Sequence, residues 1–175
     1  MQYDLNPGDI IVAPPNMIDT RFREAVILIT DHSYKGSIGL VLNRVTEFKV
    51  NDLITPLKVE LPWDPAMHWG GPVYQDLSFM LHSPEWTLDN YTRYLTHNWS
   101  VTQHWSMFVH LSDTDEPQHW RVFAGCCAWA PGQLDREIQG ATPWNSKTSW
   151  LILNRPDPGA LLAIDPEDLW SWACD

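Results

Sequence analysis

Positive charge is scarce in this chain: 11 Lys and Arg stand against 22 Asp and Glu, for a formal net charge of −11 at pH 7. No run of Lys or Arg longer than two residues offsets that balance, so a phosphate backbone would be repelled and direct nucleic-acid binding is not expected. Cysteine is also sparse. The three present are odd in number, with Cys126 and Cys127 adjacent, which is no framework for a disulfide-stapled secreted domain. No run of about 18 apolar residues exists to span a membrane as a helix. The opening MQYDLNPGDI lacks the basic stretch followed by an apolar one that marks a signal peptide. These absences together predict a cytoplasmic protein that neither crosses nor binds a membrane. Metal-ligand spacing, a phosphate loop and a nucleophile elbow are missing too, so no catalytic residue, metal or cofactor is assigned. What is present is a chain of 175 residues, 44% hydrophobic and 19% charged, long enough to bury a sizeable core in a single domain over residues 1–175.

The 11 Trp all lie after residue 62, so the first third is packed by other residues. There Asp9–Pro15, Ala25–His32 and Ser37–Arg44 are short, rich in Ile and Val, and bounded by Gly, Pro and Asn, as strands are. The link Ser-Tyr-Lys-Gly ending at Gly36 fits a tight hairpin between the second and third. Asp19 is placed to cap a single helical turn. Val50, Leu53, Ile54 and Leu57 carry the i, i+3, i+4, i+7 stripe of a short amphipathic helix, limited by Pro56. The pattern predicts a strand in Leu77–Ser83 and a helix from Ser100 as N-cap, with Val101, Trp105, Phe108 and Val109 on one face. A buried strand is expected over Arg121–Trp129, then a helix starting near Pro131 and ending at Gly140. Strands at Ser149–Asn154 and Leu161–Ile164 follow, and a final helix capped by Asp165 with Pro166 at its first position. Strands and helices interleave without regular alternation, which predicts an α+β fold with a mixed, largely antiparallel sheet and short flanking helices.

Four ordered blocks carry a resemblance. The first runs through Ala13, Asp19, Phe22, Asp31-His32, Gly36, Gly39, Leu40, Val41, Asn43 and Arg44. The others are Gly-Gly-Pro-Val at 70–73, Phe-x-Leu-His-Ser at 79–83, and Gly125, Trp129, Gly132, Gln133, Leu134 and Glu137. Covering residues 8–144, they resemble the AlgH/YqgE-like family of uncharacterised bacterial proteins. The resemblance implies an α+β fold on bent sheets, and some members carry the label of transcriptional regulator. This sequence departs from the family pattern in having Thr30 where many relatives have Cys, and Val45 where a Pro is usual.

The candidate site residues are His32, Asn43, Gly70, Gly71, His82, Trp129, Gly132, Gln133 and Glu137. His32 ends a strand, and its neighbour Asp31 points to the opposite face, so a hydrogen-bonding role outweighs a catalytic one. His82 ends another strand and approaches His32 only if the two strands are neighbours; no third ligand stands at a metal-binding spacing. Gly70 and Gly71 permit a bulge or the close approach of backbone or ligand, an architectural turn being the favoured reading. At Pro131 and Gly132 a helix start offers amide N–H groups to an anion, with Trp129 as a flat wall and Gln133 sharing a helix face with Glu137. The competing reading makes Trp129 core and gives Gln133 and Glu137 to neighbouring backbone. Cys126 and Cys127 read as small buried hydrophobes, and His97, His104, His110 and His119 as solvent-side or capping residues.

The function expected is that of a non-catalytic binding or regulatory module for a protein partner or a small anion, on a surface formed by the hairpin, the Gly-Gly-Pro-Val turn and the helix start. An enzyme using His32 or His82 as general base, with Glu137 nearby, is the alternative. Transcriptional regulation through a protein partner is a second alternative.

Overall fold

The structure, a computed structural model, describes residues 5–141, 144 and 149–175. The chain gathers into two compact units, Met1–Asn43 with Cys127–Asp175, and Arg44–Cys126.

In the first unit, β1 (Ile10–Val12) pairs antiparallel with β2 (Val26–Ser33), which turns back into β3 (Gly36–Val41). The expected hairpin forms, with Ser33 opposite Gly36 and His32 opposite Ser37, so that Tyr34 and Lys35 make the turn. Val26 to Ile29 are wholly buried, as a central strand of β-branched and aliphatic residues covered on both faces requires. The outer neighbour of β1 is β10 (Leu151–Leu153), and that of β3 is the end of β9 (Trp120–Trp129), where Ser37 faces Trp129 and Gly39 faces Cys127. Three helices complete the unit: α3 (Gln133–Ile138) against β3, α4 (Pro158–Leu162), and α5 (Pro166–Cys174) against β1 and β2. The last begins as predicted, since the Asp165 carboxylate accepts the Glu167 N–H at 3.1 Å. Leu169 buries its inner face and the Trp170 indole N–H donates to the Ala13 carbonyl at 2.8 Å. Asp19 likewise caps one 3₁₀ turn, Thr20–Phe22, by accepting from the Arg21 N–H. Leu161 to Ile164 are not a strand. Asp157 caps Gly159, Pro158 occupies the first helical position, and this start signal converts the apolar run into α4.

The second unit opens with β4 (Val45–Lys49) and α1 (Val50–Ile54), followed by a 3₁₀ turn, Thr55–Leu57. Next come β5 (Ala66–Trp69), β6 (Val73–His82), β7 (Thr92–Thr96), β8 (Trp99–Thr102) and α2 (Ser106–Asp113). The strand order is β4-β5-β9-β6-β8-β7, with β5 parallel to β9 and the other pairs antiparallel. Val50 and Ile54 from α1 and Met107, Phe108 and Leu111 from α2 pack with Met80, Trp86 and Val122 into one core. The helix expected from Ser100 starts only at Ser106. Ser100 to Thr102 are held by β6, with His82 opposite Ser100 and Met80 opposite Thr102, and those ladder bonds override the helical spacing. Strands β4 and β7 were not foreseen, their faces being too polar to show alternation.

The fold class is α+β with a mixed, largely antiparallel sheet. Among the described residues no helix is long and apolar enough to cross a membrane.

Candidate functional site

The first unit holds six of the nine candidate residues, His32, Asn43, Trp129, Gly132, Gln133 and Glu137. His32 is half-buried, with Nδ1 2.6 Å from the Ser37 hydroxyl and Nε2 3.2 Å from an Asp135 carboxylate oxygen. These partners select the tautomer in which Nε2–H donates to Asp135 and Nδ1 accepts from the Ser37 O–H. The carboxylate at His32 Nε2 comes from Asp135 on α3 and not from the adjacent position on β2, where Asp31 accepts from the Thr30 hydroxyl at 3.1 Å. Ser37 and Asp135 were missed by the sequence reading. A two-residue turn makes His32 and Ser37 opposite by arithmetic, whereas nothing local points to Asp135.

Next to this pair, Glu137 is buried on α3 and its carboxylate collects three N–H donors. The indoles of Trp129 and Trp150 reach Oε1 at 3.3 and 3.0 Å, and the Gln133 amide reaches Oε2 at 2.9 Å. Three donors converging on one buried carboxylate make this a tight latch between α3 and the two Trp rings. The Gln133 carbonyl accepts the Ala130 N–H at 2.9 Å, and the Gln133 N–H goes to the Ala130 carbonyl. These two amide hydrogens of the helix approach are therefore consumed internally, and α3 is only 6 residues long. Asn43 is engaged by backbone as well, accepting from the Val26 N–H at 3.0 Å and donating to the Glu24 carbonyl at 2.8 Å.

Gly70, Gly71 and His82 lie in the second unit. The Gly70 N–H bonds the Ala124 carbonyl at 2.9 Å, and the Gly71 carbonyl lies 2.6 Å from where a Cβ on Gly125 would stand. The close approach allowed by these glycines is thus one of backbone on backbone. His82 is fully buried. Its Nδ1 lies 2.8 Å from the Ser83 carbonyl and its Nε2 2.7 Å from the Thr102 hydroxyl, and desolvation pushes its pKa down against the smaller pull of that carbonyl and of Glu85. β2 pairs with β1 and β3, and β6 with β8 and β9, so the strands of His32 and His82 are not partners.

The second unit also holds a cleft of about 380 Å³ that the sequence reading did not foresee. Leu53, Pro56 and Leu57 form one wall, Asp76 and Leu77 from β6 another, and Trp105 stands at the start of α2. Trp105 is 60% exposed and Leu53 48%. His104, also in the lining, stacks on Tyr91 at 3.8 Å and 15°, while its Nδ1 accepts the Ser106 N–H at 3.2 Å. The signal was present in the apolar stripe of α1. Val50 and Ile54 are buried, which leaves Leu53 of the same stripe facing outward and Leu57 half-buried at the edge of the core. Beside the same segment lies a polar hollow of about 570 Å³ lined by Asp52, Lys58, Glu60 and Asp64. Among the described residues no three side chains of ligating type gather as a metal ion would need.

An α+β protein built on a mixed sheet, its candidate polar side chains hydrogen-bonded within the protein, is the class defined. The AlgH-like family model matches residues 10–175, and the chain belongs to that family. A UPF0301 protein of Vibrio atlanticus is 29% identical over 171 residues, covering 93% of this chain and 87% of the relative. A UPF0301 protein of Burkholderia mallei is 30% identical over 151 residues, covering 83% and 75%. The solution structure of AlgH from Pseudomonas aeruginosa superposes with a TM-score of 0.77 at 25% identity, covering 99% of this chain and 91% of that one. The crystal structure of Corynebacterium diphtheriae DIP2367, 22% identical with a TM-score of 0.73 over 99% and 87% of the two chains, shares the fold.

Proposed function

We propose that this protein is a non-catalytic binding module whose partner is another protein, engaged through the cleft between α1, β6 and α2. The observation that carries the reading is the exposed apolar rim of Leu53 and Trp105 over a preformed hollow, which is the form of an anchor-residue pocket. A small anion is the less favoured ligand, because Gln133 and Ala130 satisfy each other and Asp135 places a carboxylate in the first turn of α3. Quantitative capture with wild type, Leu53→Glu and Trp105→Ala tests it. A partner retained by wild type and lost by both variants supports the cleft; an unchanged set of partners overturns it.

One observation favours a second reading, an enzyme with His32 as general base. Asp135, His32 and Ser37 form a continuous hydrogen-bonded chain in which His32 is oriented to accept the Ser37 proton. Against it, Ser37 is 4% exposed and neither cleft described above includes it. An alkyl fluorophosphonate probe decides: labelling at Ser37 that disappears in His32→Ala supports this reading, and no labelling overturns it. His82, wholly enclosed, has no path to a substrate.

A further inference from the structure

The cleft carries a charge asymmetry that specifies its occupant. Asp76, exposed on β6, is the carboxylate of its lining, and no Lys or Arg joins it there. Within Arg44–Cys126 ten carboxylates face five Lys and Arg, and of these Arg44 lies 4.9 Å over the Trp69 ring while Arg121 is half-buried. At the edge of the apolar wall Trp105, 60% exposed, presents an indole ring, the surface that best accepts a guanidinium or ammonium group. A long basic side chain satisfies all three features, since its methylenes cover apolar surface while its head seeks a carboxylate.

Resting on the proposed binding role of this cleft, we infer that its occupant is a basic amphipathic peptide segment. An aliphatic anchor fills the space beside Leu53, Pro56 and Leu57, and a neighbouring Arg or Lys lies across Trp105 toward Asp76. A second copy of this chain does not fit, because it brings like charge to like charge on a molecule of net −11. An anionic lipid surface is excluded on the same ground.

The test is selection of a displayed random dodecapeptide library against the intact protein, with each hit located by ¹⁵N chemical-shift mapping. The expected result is hits that perturb Leu53, Leu57, Trp105 and Phe108 and carry Arg or Lys beside an aliphatic residue. Replacing that Arg by citrulline, which keeps the shape and removes the charge, is expected to weaken binding about tenfold, and Trp105→Ala to weaken it by a similar factor. The charge swap Asp76→Lys is expected to turn the selected sequences acidic. Asp76 and Trp105 are exposed, and circular dichroism checks that both variants stay folded. Cleft-binding hits without basic residues, or equal affinity for Arg and citrulline peptides, overturn the inference and leave the cleft as a binding site. Hits that all map elsewhere overturn both.

Discussion

Glu137 illustrates what one side chain does in this fold. Its carboxylate is the common acceptor for two indoles and an amide, so removing it strands three donors in a buried setting. Glu137→Leu is expected to lower unfolding free energy by about 3 kcal/mol or more, measured by urea titration followed by tryptophan fluorescence. Glu137→Gln keeps an acceptor for the indoles but turns an amide toward the Gln133 amide, with an expected loss of about 1 kcal/mol. Equal stability of the Leu variant and wild type would show that the latch contributes nothing. His68 on β5 acts through pH. Desolvation, aided by the charge of Arg121, pushes its pKa down to about 4 against the weaker pull of the Ala66 and Val122 carbonyls. The unfolded chain therefore binds a proton near pH 6.5 that the folded chain refuses until about 4. Stability is full above 6.5 and falls as pH drops toward 4, by up to about 3 kcal/mol from this group, and His82 adds a loss of the same sign. Urea midpoints at pH 7.5 and 5.0 measure it: the difference is expected to narrow in His68→Leu, and an unchanged difference would refute the assignment. Of these residues, only the Gln133–Glu137 pairing was legible beforehand, because i, i+4 spacing on one helix is local information.

Among the elements, β9 is the most constrained. Gly125 has φ +74°, and a Cβ there would stand 2.6 Å from the Gly71 carbonyl and 2.9 Å from that of Val73. Gly132, with φ +74° too, meets only the tip of Arg136 at 3.1 Å. The same substitution at the two positions separates backbone strain from steric exclusion. Gly132→Ala is expected to cost about 1 kcal/mol and Gly125→Ala about 3 kcal/mol or more, read from thermal or urea unfolding. Comparable losses at both sites would mean that the Gly-Gly-Pro-Val turn gives way. Element ends with side-chain caps were readable from the sequence, as at Asp19 and Asp165, because cap and capped amide are two residues apart. The helix expected from Ser100 failed for the opposite reason. Its apolar spacing suits both periods, and the choice between them belongs to β6, some twenty residues earlier.

At the scale of the whole molecule, charge is the property that the chain carries regardless of how it folds. With a net −11, the protein is expected to leave a labelled duplex unshifted even at low salt, where electrostatic binding is strongest. A mobility shift that weakens as salt rises would contradict this. Membership of the AlgH-like family was legible from blocks scattered over 8–144, since their order and spacing survive without any knowledge of contacts. The cleft was not. Its walls come from positions 53–57, 76–78 and 103–108, and no window of sequence contains them together.

Net charge follows from composition alone, and the hairpin between β2 and β3 and the capped starts at Asp19 and Asp165 follow from residues a few positions apart. Tertiary structure alone decided that Glu137 meets Trp150, that Asp135 meets His32, and that α1 buries Val50 and Ile54 while leaving Leu53 exposed. Local preferences differ by less than about 1 kcal/mol per residue, whereas burying one large apolar side chain is worth about 2 kcal/mol. Contacts between distant segments therefore choose among local alternatives that the chain leaves nearly level.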